Sequence, residues 1–132
     1  MLHHLSFGVS DIERAAAFYD AVLAPLGYVR VWADLRPGEA GQAVGYGAPE
    51  GGDKLALKFR PEGQRPPGPG FHLAFAAPDR QAVADFHDAA LRLGGQDNGA
   101  PGLRLRYGPH YYAAFVIDPD GHQIEAVFNS PP

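Results

Sequence analysis

The chain contains no cysteine. That excludes a disulfide framework, a thiolate metal site and a cysteine nucleophile together. It is compatible with a reducing compartment. Long apolar runs are missing too: none approaches the roughly 18 residues that a membrane-spanning helix needs. The opening Met1-Leu2-His3-His4 lacks the basic-then-apolar layout of a secretory signal. These absences predict a cytoplasmic protein with no membrane partner. Basic charge is also scarce, with 11 Lys and Arg against 15 Asp and Glu and a formal net charge of −4. Phosphate backbones are normally met by a basic face, so no nucleic-acid partner is expected.

What is present suits one compact domain spanning 1–132. Its 132 residues are 45% hydrophobic, enough to bury a core without staples. Glycine and proline gather in two stretches, 36–52 and 60–70. Aromatic and aliphatic runs flank both, so these stretches read as loops.

The chain repeats itself. A shift of 68 residues aligns His4-Leu5-Ser6-Phe7 with His72-Leu73-Ala74-Phe75, and Asp11 with Asp79. Ala16, Phe18, Asp20, Ala21, Leu23 and Gly27 then meet Ala84, Phe86, Asp88, Ala89, Leu91 and Gly95, making 10 identities over positions 4–27. Such periodicity marks duplicated structural units. The first module is read as 1–60 and the second as 70–132, with a linker near Arg60–Gly70.

Each module opens on a strand. Leu5, Phe7 and Val9 alternate with His4, Ser6 and Gly8, and Phe71, Leu73, Phe75 and Ala77 alternate with His72, Ala74 and Ala76. Period-two alternation gives a strand two unlike faces. Helices follow. Ser10 with Glu13 fits a capping box, and Ile12, Ala15, Ala16, Tyr19, Val22, Leu23 and Leu26 recur at helical spacing up to Gly27. Asp79 is the matching cap in the second module, where Gly94-Gly95 ends the helix. Further strands are expected at 28–35, 42–47 and 53–59. In the second module they fall near 96–98, at 103–107 or 110–117, and at 122–128. Asp118-Pro119-Asp120-Gly121 reads as the turn joining the last two. The result is an α+β chain of two βαβββ modules.

If the apolar faces of the strands meet the helices, His4 and His72 point the other way, over a floor of small residues. Ile124, Ala126 and Phe128 share one side of the last strand. If that side packs on a helix, Glu125 joins the face of the two histidines. Two imidazoles and a carboxylate are a ligand set for a divalent metal with open positions. His122 reads as a surface residue, His87 as exposed on a helix, and His3 as facing away from His4. Tyr111 or Tyr112, with Arg106 and Trp32, are candidates to hold a substrate through ring contacts and hydrogen bonds. Lys58 and Arg60 are candidates for clamping an anion.

His4-Leu-Ser-Phe-Gly-Val-Ser-Asp11 with Phe18-Tyr19, His72-Leu-Ala-Phe, and Asp118-Pro-Asp-Gly-His-Gln-Ile-Glu125 resemble the vicinal oxygen chelate superfamily over nearly the whole chain. That superfamily includes glyoxalase I, extradiol dioxygenases, fosfomycin-resistance transferases and bleomycin-binding proteins. The resemblance implies modules that curl into a cup, and His4, His72 and Glu125 as ligands of one divalent ion, Zn, Ni, Co, Mn or Fe(II). It implies a homodimer, and a small substrate whose vicinal oxygens are activated through an enolate or oxyanion, with Glu125 at the catalytic centre. A metal-free small-molecule binder and an Fe(II) dioxygenase are the alternatives. The sequence departs from glyoxalase I in offering no fourth ligand, since 68 residues before Glu125 lies Leu57. It has Gly8 where bacterial glyoxalases carry an arginine, and Phe115 where extradiol dioxygenases carry a tyrosine.

Overall fold

The computed structural model describes residues 1–63 and 68–131, so part of the expected linker lies outside the described residues. Its elements run β1 (Leu5–Val9), α1 (Ile12–Leu23), a short 3-10 turn (Ala24–Leu26), β2 (Val29–Asp34), β3 (Ala43–Gly47), β4 (Leu55–Phe59), β5 (Leu73–Ala76), α2 (Arg80–Arg92), β6 (Gln96–Leu103), β7 (Tyr111–Ile117) and β8 (Gln123–Asn129). This is βαβββ twice. Each module forms one four-stranded sheet, in the orders β1-β4-β3-β2 and β5-β8-β7-β6. The first and last strands of each module run parallel and the remaining pairs antiparallel.

The alternation decides which face each helix covers. Phe7, Val9, Val44, Tyr46, Leu55 and Leu57 turn toward α1, while Ala114, Val116, Ile124 and Ala126 turn toward α2. The two helices also pack on each other, and one continuous core takes residues from both modules. Ala82, Ala89 and Ala90 are the small residues of α2's buried stripe. Burying such stripes is the main driving force of the fold.

Local signals differ from expectation at several points. The cap of α1 is Asp11, whose carboxylate accepts from the Arg14 amide at 3.1 Å. Ser10 lies one residue too early and gives its own amide to Asp120 instead, at 3.1 Å. Asp79 caps α2 as expected, accepting from Ala82 at 2.8 Å. Gly27 ends the first helical segment at φ 90°, a left-handed conformation that favours glycine. Of the two alternatives for the penultimate strand, 110–117 is close to β7, and 103–107 forms a turn closed by Tyr107 donating to the Arg104 carbonyl at 2.9 Å. The expected strand near 96–98 extends to Leu103, irregularly, with register shifts between Asp97 and Gly99 and between Gly99 and Gly102.

The turn before β8 is clasped by the first module. Tyr19 of α1 donates to the Asp118 carboxylate at 2.6 Å, and the Arg14 guanidinium donates to the Pro119 carbonyl at 3.2 Å. The Phe7 ring lies against the His122 ring at a centroid distance of 4.1 Å. His122 is therefore not the surface residue its turn position suggests: it is 1% exposed. Its Nδ1 is 2.8 Å from Asp118 Oδ2. A carboxylate only accepts, so that nitrogen carries the proton, and buried Nε2 is left without a partner. His87, expected to be exposed, has a side chain only 12% exposed and pairs with Asp97 at 2.9 Å.

Candidate functional site

The faces of the two sheets turned away from the helices carry the candidate residues. Strand register arranges them in rows. One row of the second sheet reads Ala74, Glu125, Phe115, Gly99 from β5 to β6. The corresponding row of the first sheet reads Ser6, Ala56, Gly45, Trp32 from β1 to β2. Ala56 is therefore the counterpart of Glu125. The repeat slips by one residue in the last strand, which moves the counterpart off Leu57, a core residue with 0% exposure. Neither residue offers a carboxylate.

Glu125 carries a polar side chain and is only 2% exposed. Burial of a carboxylate demands partners, and it has two. His72 Nε2 lies 3.0 Å from Oε1. The Tyr111 hydroxyl donates to Oε2 at 2.8 Å. Desolvation first, then this bond to Glu125, push the Tyr111 phenol up to about 12, so at neutral pH it is a donor. The three groups border a cavity of about 510 Å³ lined also by Asn98, Tyr107, Phe115 and Gln123. The His72 side chain is 55% exposed and so accessible from this space.

The other expected residues lie elsewhere. Tyr112 faces the opposite side from Tyr111, beneath the Arg80 guanidinium at 4.9 Å, because neighbours on a strand point to opposite faces. Arg106 sits outside the cavity lining, 5.1 Å over the Tyr107 ring. Trp32 stands on the first sheet, 39% exposed. His4 precedes β1, exposed, with its Nδ1 2.8 Å from that of His3. The structure thus brings His72 and Glu125 together and leaves His4 apart. Among the described residues no group of three His, Cys, Asp or Glu side chains is assembled around one point. The role of Tyr111 as the donor to Glu125 was missed in sequence. The signal for it lies in register, since β7 pairs antiparallel with β8.

A family model for the Glyoxalase/Bleomycin resistance protein/Dioxygenase superfamily matches residues 1–126. The chain belongs to that superfamily. A glyoxalase/bleomycin resistance protein of Albidiferax ferrireducens T118 is similar at 30% identity and TM-score 0.73, with 94% of each chain covered. A glyoxalase-related enzyme of Fulvimarina pelagi shares the fold at 24% identity and TM-score 0.69, covering 98% of this chain and 88% of that one. Glyoxalase I of Zea mays shares it at 21% identity and TM-score 0.72, with 96% of this chain matched to 45% of that one. No curated protein matches. Among the described residues of this superfamily member, no helix is long and apolar enough to cross a membrane.

His72 and Glu125 are of the residue types that ligate divalent ions, and they supply two of the three protein ligands such a site uses. Two adjacent ligands with bonds of about 2.1 Å to one ion stand about 3 Å apart at right angles, and His72 Nε2 and Glu125 Oε1 are separated by 3.0 Å. The Tyr111 hydroxyl, donating to Oε2, holds the Glu125 carboxylate in one orientation.

Proposed function

We propose that the chain is a divalent-metal-dependent enzyme of glyoxalase or lyase type, acting on a small substrate with two vicinal oxygens through an enolate or oxyanion. The observation that carries this reading is the buried Glu125 carboxylate held between His72 and Tyr111 at the edge of an open cavity. In this reading His72 and Glu125 hold the ion. The third ligand, His4, immediately precedes the first strand of the other sheet, so we assign it to a cup closed by a second copy of the chain, the partner subunit's His4 facing this cavity. A bound ion supplies Lewis-acid polarisation of the substrate oxygens.

The chain's own groups do the rest. Tyr111 keeps its proton at neutral pH and fixes the orientation of Glu125. The aromatic residues Phe115 and Tyr107 give the cavity wall apolar surface for ring contacts with a substrate. A Tyr111→Phe change leaves Oε2 of a buried carboxylate without its hydroxyl donor.

The reading is tested by isotope exchange. Metal-reconstituted protein is incubated in D2O with a panel of small 2-hydroxycarbonyl compounds, and deuterium at the carbon next to the carbonyl is followed by NMR. The expected outcome is exchange above background, lost in Glu125→Gln. Exchange absent with every compound and metal, or unchanged in the variant, overturns the proposal. The separation of His4 from His72 and Glu125 favours a second reading, a metal-free binding protein. In that case reconstituted protein retains no stoichiometric metal.

A further inference from the structure

The first module's helix-free face is built around one indole. Trp32 is the single tryptophan of the chain. A Cβ at position 45 would collide with the indole Nε1 and Cε2, so the ring packs directly on the backbone of Gly45 and any side chain there would displace it. Beneath it the row continues as Ala56 and Ser6. Ala56 and Gly45 are buried, while Trp32 remains 39% exposed. The ring is thus seated on the sheet at Gly45 and keeps part of its surface in solvent. The indole N–H has no hydrogen-bond partner among the described residues.

The same device stands in the second module with the roles exchanged. Gly99 pairs with Phe115 as Trp32 pairs with Gly45, and a Cβ at position 99 would meet Phe115 at 2.9 Å. Both pairs follow a register shift in the outer strand, between Arg30 and Trp32 and between Asp97 and Gly99. In the second module the ring lines the cavity that holds Glu125.

Charge on the first face is specific as well. Two residues along β4 from Ala56, on the same face, stands Lys58 in the row Gly8, Lys58, Ala43, Asp34. Asp34 is taken by Arg36 at 2.9 Å. Lys58 is exposed and has no ion-pair partner among the described residues. A partly exposed indole, an unpartnered N–H and an unpartnered ammonium together match a flat group that carries a negative charge.

We infer that Trp32, seated on Gly45, and Lys58 form a binding platform for a planar aromatic carboxylate. This extends the proposed function by naming a substrate class. It rests on that reading only in taking both helix-free faces to serve one cup. The ring of the ligand stacks on the exposed part of the indole, and its carboxylate is met by Lys58.

The test uses 2-naphthoate as the probe, with neutral 2-naphthamide and saturated cyclohexanecarboxylate as controls. The indole N–H of Trp32 gives a single cross-peak in a ¹H–¹⁵N spectrum. The expected result is a saturable shift of that peak with 2-naphthoate, weaker by about two- to fivefold with 2-naphthamide and absent with cyclohexanecarboxylate. By calorimetry, Lys58→Met weakens 2-naphthoate about two- to fivefold and Trp32→Leu about three- to tenfold. Both side chains are exposed, so the variants are expected to fold. Gly45→Ala lifts the indole and moves its peak before any ligand is added. The inference is overturned if the peak stays fixed, if all three compounds shift it alike, or if neither variant changes the affinity. Repeating the titration on metal-free Glu125→Gln separates the two readings. A persisting shift there supports the platform even where metal dependence fails, whereas metal uptake without any shift removes the platform alone.

Discussion

Replacing Tyr19 with Phe removes one hydroxyl from the contact between the modules. The ring keeps its place between Phe7, Phe18 and Tyr46, so packing is retained and no cavity opens. The lost bond is short, 2.6 Å, and its acceptor is the carboxylate of Asp118, 4% exposed. A hydrogen bond to a charged group contributes about 1.5–3 kcal/mol. Asp118 still accepts from the amides of Asp120 and His122 and from the imidazole of His122. It is therefore not orphaned, and the lower half of that range, about 1.5–2 kcal/mol, is expected. For a domain of this size each kcal/mol moves Tm by roughly 3–6 °C, which predicts a fall of about 5–12 °C. Urea unfolding should show a lower midpoint with an unchanged slope, since the exposed area is the same. A variant as stable as the parent would refute the claim that this bond ties the modules together. A change in slope would show that the effect lies in the compactness of one state instead.

The tyrosines also set an alkaline limit. Burial first, and then Asp118, hold the Tyr19 phenol well above its usual value, and burial with Asp20 does the same for Tyr46. Below pH about 10 both states are protonated and this contribution is complete. Above it the unfolded chain releases protons that the fold retains, so stability falls by about 1.4 kcal/mol per pH unit for each such group. Urea midpoints measured from pH 9 to 11.5 should decline, less steeply in Tyr19→Phe; equal slopes would contradict the assignment. Tyr111→Phe should weaken metal binding about tenfold. Metal titrations would show no difference between this variant and the parent if the hydroxyl has no orienting role. Gly27→Ala, at φ 90°, should cost about 1 kcal/mol with no effect on metal binding, as read from thermal melts and the same titrations.

The duplication, the helices and most strands were legible because periodicity follows from which face meets a helix. Phe7, Val9, Ile124 and Ala126 announce their side of the sheet, and Glu125 falls on the other by default. His122 was not legible. Its turn position says surface, and only the docking of that turn onto Phe7 and Tyr19 from a distant segment buries it. Strand register was equally hidden. A slip of one residue between the modules makes Ala56, not Leu57, the counterpart of Glu125. Tyr111 and Tyr112 were equivalent in sequence until β7 paired with β8 and sent one hydroxyl to Glu125 and the other ring under Arg80. The pairing of Trp32 with Gly45 left no mark in local sequence, because it joins two strands across a loop of 8 residues, 35–42.

The central claim is that His72 and Glu125 are two ligands of one divalent ion. The most direct measurement is the metal content of protein reconstituted with Zn, Ni, Co, Mn or Fe(II) and then freed of excess ion, for the parent chain, His72→Ala and Glu125→Gln. About one tightly held equivalent per chain is expected for at least one of these metals, with most of it lost in both variants. Metal that fails to bind the parent, or that binds both variants as well as the parent, would contradict it.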